Sequence, residues 1–320
     1  MKPPFELNST ILNLVSEISL LVGRYEGLHA PIPQPKLRRQ NRIRTIKDSL
    51  AIEGNTLDLE QVTAIFDGRR VAGKPKEIRE VQNAIQLYAA LSQLNPTSQQ
   101  AFLKAHGILM KGLVTKAGIY RTTSVGILKG TQVAHIAPPP RQVPTLMDNL
   151  FRFLKEKSDF SALIKACVFH YELEFIHPFE DGNGRMGRLW QSVILSHFHR
   201  AFEYLPVESI VRARQSAYYE ALETSDKKGE CSAFVEFSLS TIRDGLKEFM
   251  KELQPEPETP ESRLRLAKSE FGQKYFSRKD YIQFFKTLST ATASRDLALG
   301  VSQGILAKNG TKALTQYRFA

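Results

Sequence analysis

Two cysteines, Cys167 and Cys231, are all that the 320 residues contain, and neither lies in a CxxC pair or a histidine-rich setting. That scarcity excludes a disulfide framework and a cysteine zinc site, and it fits a reducing compartment. Long apolar runs are missing as well: no window approaches the roughly eighteen uninterrupted apolar residues from which a membrane span would be read. The opening Met1-Lys-Pro-Pro-Phe-Glu-Leu7 lacks the basic segment and apolar core of a secretory signal. The expectation is a soluble, cytoplasmic protein with no membrane partner. Acidic residues are in deficit, 33 Asp and Glu against 44 Lys and Arg, and the resulting net charge of +11 favours a polyanionic partner such as nucleotide or nucleic acid. No internal repeat is apparent. What remains is an ordinary globular composition, 42% hydrophobic and 24% charged, on a chain long enough for two or three domains.

Helical periodicity runs from about Thr10 to Leu94, with Ile43, Ile46 and Leu50 on one face and a stop at Gly54-Asn55. Between Gly118 and Pro140 the texture changes. Thr122-Thr-Ser-Val-Gly-Ile-Leu128, Lys129-Gly130 and Thr131-Gln-Val-Ala-His-Ile136 read as two short strands about a glycine turn, closed off by Pro138-Pro139-Pro140. Helices resume from Val143 to about Leu253, and Leu163 to Phe175 is apolar around most of its circumference, as a central buried helix would be. Gln254-Pro-Glu-Pro-Glu-Thr-Pro260 cannot pack a core and marks a linker over residues 254–260.

The chemistry concentrates in His177-Pro-Phe-Glu-Asp-Gly-Asn-Gly-Arg-Met-Gly-Arg188, which sits between two strongly apolar helices. Met186, Leu189, Trp190, Val193, Ile194 and Phe198 recur at helical spacing, so a buried helix begins close to Asn183-Gly184. Its free amides and the positive end of its dipole, approached closely through two glycines, make a phosphate cradle. Arg185 and Arg188 add guanidinium forks suited to phosphate oxygens. Asp181 is placed to hold Mg²⁺ against those phosphates, and His177 is the group in the loop that takes a proton at neutral pH. Taken singly, a histidine before proline is a polar loop residue and Gly-Asn-Gly is a turn. Their combination, in this order at a helix entrance, points to a phosphate-handling active site.

This run resembles the Fic signature, HxFx(D/E)GNGRxxR, at every specified position, and the similarity extends over roughly residues 10–250. The resemblance implies a mainly α fold: a Fic-type helical bundle with a small β-hairpin flap that positions the target. It implies an N-terminal helical region over 1–100 and a catalytic core over 101–253. It further implies a protein adenylyltransferase, which moves AMP from ATP, with Mg²⁺, onto a Ser, Thr or Tyr hydroxyl of a target protein or of itself. In that scheme His177, Asp181 and Arg185 are catalytic, His177 as the general base and Asp181 as the metal ligand; Gly182, Asn183, Gly184 and Arg185 hold the ATP phosphates, and Met186, Gly187 and Arg188 belong to the same nucleotide-binding site. Tyr219 would border the adenine, Val133 of the hairpin would touch the nucleotide, and Asp226 stands where some relatives carry asparagine. As ordinary helix and hairpin residues, Tyr219 and Val133 would simply pack.

Ser49-Leu-Ala-Ile-Glu-Gly54 resembles the (S/T)xxxE(G/N) motif with which many Fic proteins obstruct their own ATP site. Ser49 and Glu53 share a helix face, Gly54 ends the helix, and a carboxylate in a last turn opposes the helix dipole. By the resemblance Glu53 pairs at rest with Arg188, which in the productive state meets the ATP γ-phosphate. Residues 261–320 resemble a winged helix-turn-helix domain. Its recognition helix would contain Arg295, its wing would be tipped at Asn309-Gly310, and duplex DNA, a homodimer or another protein are the partners such a domain serves. Other functions remain open on sequence: a transcriptional regulator that only senses nucleotide, or a Fic enzyme that removes AMP or transfers another phosphate-containing group. An intact His177 and Asp181 speak for catalysis, and glycine at 184 in place of the lysine of phosphate-transferring relatives speaks for AMP transfer.

Overall fold

A computed structural model describes residues 3–27, 35–129, 132–156, 160–253, 259–285, 288–310 and 315–320, without the side chains of 127–129, 132–136 and 269. The linker residues 254–258 lie outside the described residues. The chain divides into two compact units, Met1–Lys251 and Glu252–Ala320.

In the first unit the helices are α1 Ser9–Gly27, α2 Pro35–Ile52, α3 Leu59–Phe66, α4 Pro75–Ala89, α5 Gln99–Leu109, α6 Val143–Lys155, α7 Ala162–Ile176, α8 Asn183–Phe198, α9 Val207–Ala213, α10 Gln215–Lys228 and α11 Ser232–Leu253. Helix α7 is buried on nearly all sides and packs along α8. An aromatic cluster fixes their relation to α5 and α6: Phe102 meets Trp190 edge to face at 5.0 Å and Phe151 at 5.5 Å, and Phe151 meets Phe169 at 5.4 Å. Trp190 is fully buried and satisfies its indole N–H on the carbonyl of Pro96 at 3.0 Å. Residues 1–100 do not stand apart as a unit; α2 packs on α9, α4 and α8 within the same body.

Helix α2 ends where expected, because Gly54 takes the left-handed conformation at φ 89° that glycine adopts without cost. The hairpin consists of β1 Gly126–Lys129 and β2 Gln132–Ile136, antiparallel, with an irregularity after Ile127. It begins four residues later than the alternation from Thr122 suggests. The reason is local: the Thr123 carbonyl is bonded to the guanidinium of Arg121.

The second unit runs α12 Pro260–Phe271, β3 Phe276–Ser277, α13 Arg278–Phe285, α14 Thr290–Ser302, β4 Leu306–Asn309 and β5 Gln316–Phe319, with sheet order β3-β5-β4. Phe276, Tyr281, Leu297 and Phe319 form its core. Arg263 pairs with the buried Asp296 at 2.6 and 2.9 Å, and the Tyr281 hydroxyl donates to the same carboxylate. Among the described residues no helix is long and apolar enough to cross a membrane.

Candidate active site

Helix α7 stops at His177, which sits at φ 49°, ψ 60° and is the one non-glycine residue with positive φ among the described residues. Pro178 follows and cannot continue a helix. The His177 N–H still bonds back to Leu173 O at 2.9 Å, and its Nδ1 lies 3.3 Å from Glu174 O. The imidazole is half-buried at the mouth of the loop.

Residues 178–182 then cross to α8, and that crossing is braced from inside. Asn183 brackets the loop: its Oδ1 accepts from Phe179 N–H at 2.9 Å and its Nδ2 donates to Phe179 O at 3.0 Å. The buried Phe179 ring stacks on His106 with centroids 3.6 Å apart. Gly118 N–H donates to His106 Nδ1 at 2.8 Å, so the ring proton sits on Nε2 and is given to the Asp181 carbonyl at 3.0 Å. Burial pushes the His106 pKa down to about 4, which keeps this brace neutral. Gly182 caps α8 at φ 87°, and a Cβ there would lie 2.7 Å from Met110 Sδ.

The first amides of α8 have no partner within the helix, so its N-terminus is an anion cradle. Gly184 lies at its mouth, and a Cβ on it would come within 2.5 Å of Glu53 Oε1. The Glu53 carboxylate thus rests where an anion is electrostatically favoured. Arg188, itself buried, donates from Nη2 to Glu53 Oε1 at 2.7 Å and to Ser49 O at 3.1 Å, and from Nε to Ser49 Oγ at 3.2 Å. Burial works against the charge on Arg188, but the neighbouring carboxylates, Glu53 foremost, outweigh it and raise its pKa. It is cationic at every working pH.

Asp181 Oδ1 accepts from Gly182 N–H at 2.6 Å and from Arg185 Nη2 at 2.9 Å, and the side chain is 46% exposed. Its Oδ2 makes no hydrogen bond among the described residues. Arg185 also donates from Nη1 to Glu80 Oε1 at 3.1 Å, while Glu80 Oε2 accepts from Asn55 Nδ2 at 2.8 Å. The residue following the glycine stop of α2 is therefore joined through Glu80 to Arg185. No group of three His, Cys, Asp or Glu side chains comes together as a metal site among the described residues. One half-exposed carboxylate suits Mg²⁺ that arrives with a nucleotide and keeps phosphate and water as its other ligands, since this ion dehydrates reluctantly.

The structure thus brings together His177, Asp181, Gly182, Gly184, Arg185, Arg188, Ser49 and Glu53. Two residues expected at the nucleotide lie elsewhere. Met186 is fully buried in the core with its N–H spent on Gly182 O at 3.0 Å, and Gly187 is the gap in α8 that admits α7, since a Cβ on it would meet the His170 ring at 2.6 Å and Glu174 Oε1 at 2.9 Å. The Asn183 side chain braces the loop, which leaves only its backbone amide for an anion. Tyr219 is 44% exposed and lines an open cleft of about 570 Å³ with Ser216, Glu220, Glu223, Thr224 and Lys227. Its neighbour Tyr218 is the packed tyrosine, hydrogen-bonded to His170 at 3.2 Å. Asp226 accepts from the Tyr171 hydroxyl at 2.8 Å. Val133 lies opposite Leu128 in the hairpin, and its side chain is outside the described residues.

His106, Glu80, Asn55 and Arg121 were not foreseen. Glu80 had a signal: Glu77, Glu80 and Asn83 recur every three residues and are all buried, a polar stripe on the inner face of α4. Asn83 uses it to hold two carbonyls, Leu109 O at 3.0 Å and Lys111 O at 2.9 Å.

A helical bundle with a histidine at a left-handed helix end, followed across a short loop by an anion cradle at the next helix start, defines the class. Residues 96–195 match the Fic/DOC family. A crystal structure of a Fic family protein from Desulfovibrio desulfuricans G20 is 40% identical, with TM-score 0.80 over 100% of this chain and 98% of that one. This chain belongs to the Fic family. It is 31% identical over 215 residues to protein adenylyltransferase fic-1 of Caenorhabditis briggsae and 30% identical over 213 residues to protein adenylyltransferase Fic of Aedes aegypti. Those matches span 63% of this chain but 40% of either relative. Fic-1 of Caenorhabditis elegans (residues 134–508) shares the fold at TM-score 0.61 and 22% identity, over 77% of this chain and 72% of that one.

Proposed function

We propose that this chain is a protein adenylyltransferase, held at rest by Glu53, that transfers AMP from ATP to a hydroxyl of a target protein or of itself. The contact between Glu53 and the buried Arg188 at 2.7 Å, with Glu53 Oε1 against Gly184 at the cradle, carries this reading. An anionic side chain lies where the terminal phosphates of a nucleotide would lie, and it holds the cation they need. The names borne by the relatives support the same chemistry.

In the released state the open amides of α8 and the Arg185 and Arg188 guanidinium groups bind the triphosphate. His177 takes the proton of the incoming hydroxyl. Its oxygen forms a bond to the α-phosphorus as the α–β bridging bond breaks in line, and pyrophosphate departs with its charge held by arginine. Asp181 is the residue that would hold Mg²⁺, which when bound would supply further charge neutralisation. The test is incubation with lysate and ATP labelled at either the α or the γ phosphorus. Label entering protein from the α position alone is expected; label from the γ position would overturn the reading in favour of phosphate transfer.

The second unit supports a DNA-binding reading. Residues 259–320 hold eleven Lys and Arg against four Asp and Glu, so this fifth of the chain carries +7 of the net +11. Its order of helix, strand, two helices and a hairpin supports the winged-helix reading. Arg295 is exposed on α14, and Arg278 donates to Ser294 Oγ of the same helix at 3.1 Å. Binding of the full chain to duplex DNA should fall steeply with salt and weaken in Arg295→Ala. Absence of binding at low ionic strength would leave a protein partner for this unit.

A further inference from the structure

Arg121 lies just before the hairpin, outside the signature loop. It is 2% exposed, yet no carboxylate pairs with it among the described residues. Among the described residues its guanidinium is satisfied by backbone carbonyls alone: Nε donates to His177 O at 2.7 Å, Nη1 to Thr123 O at 2.9 Å, and Nη2 to Pro138 O at 2.6 Å and to Ile176 O at 3.2 Å. Its own N–H bonds Pro178 O at 2.9 Å. Thr123 and Pro138 flank the two ends of the hairpin β1–β2, and Ile176 and His177 are the end of α7. Burial lowers the Arg121 pKa, so the protein bears a cost for keeping a cation here. A neutral residue would suffice to plug the space. The position selects a planar, many-donor cation at the negative end of a helix dipole.

We propose that Arg121 is a positioning residue that holds His177 in its left-handed conformation and fixes the hairpin in register with it, so that target and base are presented to each other as one body. His177 at φ 49° lacks the freedom glycine would have, and a left-handed non-glycine residue persists where its surroundings over-determine it. The charged bond from Arg121 to its carbonyl does so from one side and the Leu173 hydrogen bond from the other. The role predicted is in placing the reacting hydroxyl and the imidazole. The nucleotide is held by α8, to which Arg121 makes no hydrogen bond among the described residues.

This inference rests on the adenylyltransferase reading, and its test separates the two. Arg121→Lys keeps charge and bulk but cannot reach four carbonyls. In a Glu53→Gly background, where transfer is unmasked, it should lower kcat about ten- to a hundredfold, the cost of misplacing reacting groups by around an ångström. ATP affinity should stay within about threefold, because the cradle is intact, and guanidinium ion should partly restore Arg121→Ala. Amide exchange should quicken together in residues 122–138 and 176–179 while α8 stays protected. Unchanged kcat and unchanged exchange would overturn the proposal, as would a protein that loses fold, ATP binding and transfer in parallel, which would make Arg121 merely structural. If the Glu53→Gly parent transfers nothing, the enzymatic reading fails, and the exchange measurement still decides whether Arg121 couples the two segments.

Discussion

Replacing Glu53 by glycine should turn the resting protein on. Arg188 is 2% exposed and Glu53 31% exposed, so the pair is largely but not wholly out of water. A charge-assisted hydrogen bond of this kind contributes about 1.5–3 kcal/mol, and partial exposure of the carboxylate argues for the lower half of that range. In the variant, Arg188 keeps its two bonds to Ser49, so it stays oriented while the cradle becomes free. Each ~1.4 kcal/mol of competition removed is about tenfold in the population able to bind the triphosphate productively, so initial transfer should rise roughly ten- to a hundredfold. Apparent ATP affinity should tighten alongside. Residue 53 lies just past the end of α2, so glycine there should cost the fold less than the ~1 kcal/mol of a helix interior. Glu53→Gln keeps the shape but not the charge and should activate partially. The assay is the initial rate of protein labelling from α-labelled ATP, with loss of label from premodified target measured beside it. That second measurement isolates any part Glu53 plays in helping water remove AMP. A folded Glu53→Gly protein with wild-type initial rate and wild-type ATP affinity would refute the reasoning.

Three further outcomes are expected. His177→Ala should abolish transfer and leave ATP binding and melting temperature near wild type; retained transfer would remove His177 from the chemistry. Asp181→Asn should weaken nucleotide binding in the presence of Mg²⁺ and shift the Mg²⁺ dependence of any residual activity to higher concentration, and an unchanged Mg²⁺ titration would dismiss it as a ligand. Glu208 is buried with one carboxylate oxygen unpartnered among the described residues, and burial pushes its pKa up from 4.5 to about 7. The folded state therefore holds this proton more tightly than the unfolded chain does, and stability is lost as pH rises from about 4.5 to about 7, by up to ~3 kcal/mol. Glu208→Gln should match wild type near pH 4 and melt higher above pH 7. Taking the difference cancels His106, whose lowered pKa acts in the opposite sense, and a difference curve flat with pH would contradict the assignment.

What the sequence made legible follows from how local each feature is. His177 to Arg188 is contiguous, and the helix start at Asn183 and the stop at Gly54 are written in neighbouring residues. So are the central burial of α7 and the basic excess of the last sixty residues. Within the loop, however, neighbours in sequence part ways in space. Met186 and Gly187 turn into the bundle because α8 must bury that face against α7, and the Asn183 side chain folds back on Phe179. Residue type alone does not say which of these groups faces the ligand. The pairing of Glu53 with Arg188 spans 135 positions and came from resemblance to a family, since no spacing rule reaches that far. Glu80 left a faint trace in the polar period of α4. Arg121 left none, for a physical reason. A cation satisfied by side chains has acidic partners whose positions can be guessed, but one satisfied by carbonyls draws on acceptors that every residue possesses. Only the fold decides which carbonyls converge, as Thr123, Pro138, Ile176 and His177 do here. For the same reason a change at any of those four positions that keeps the backbone path should leave the guanidinium satisfied, whereas a change at Arg121 strands four carbonyls at once.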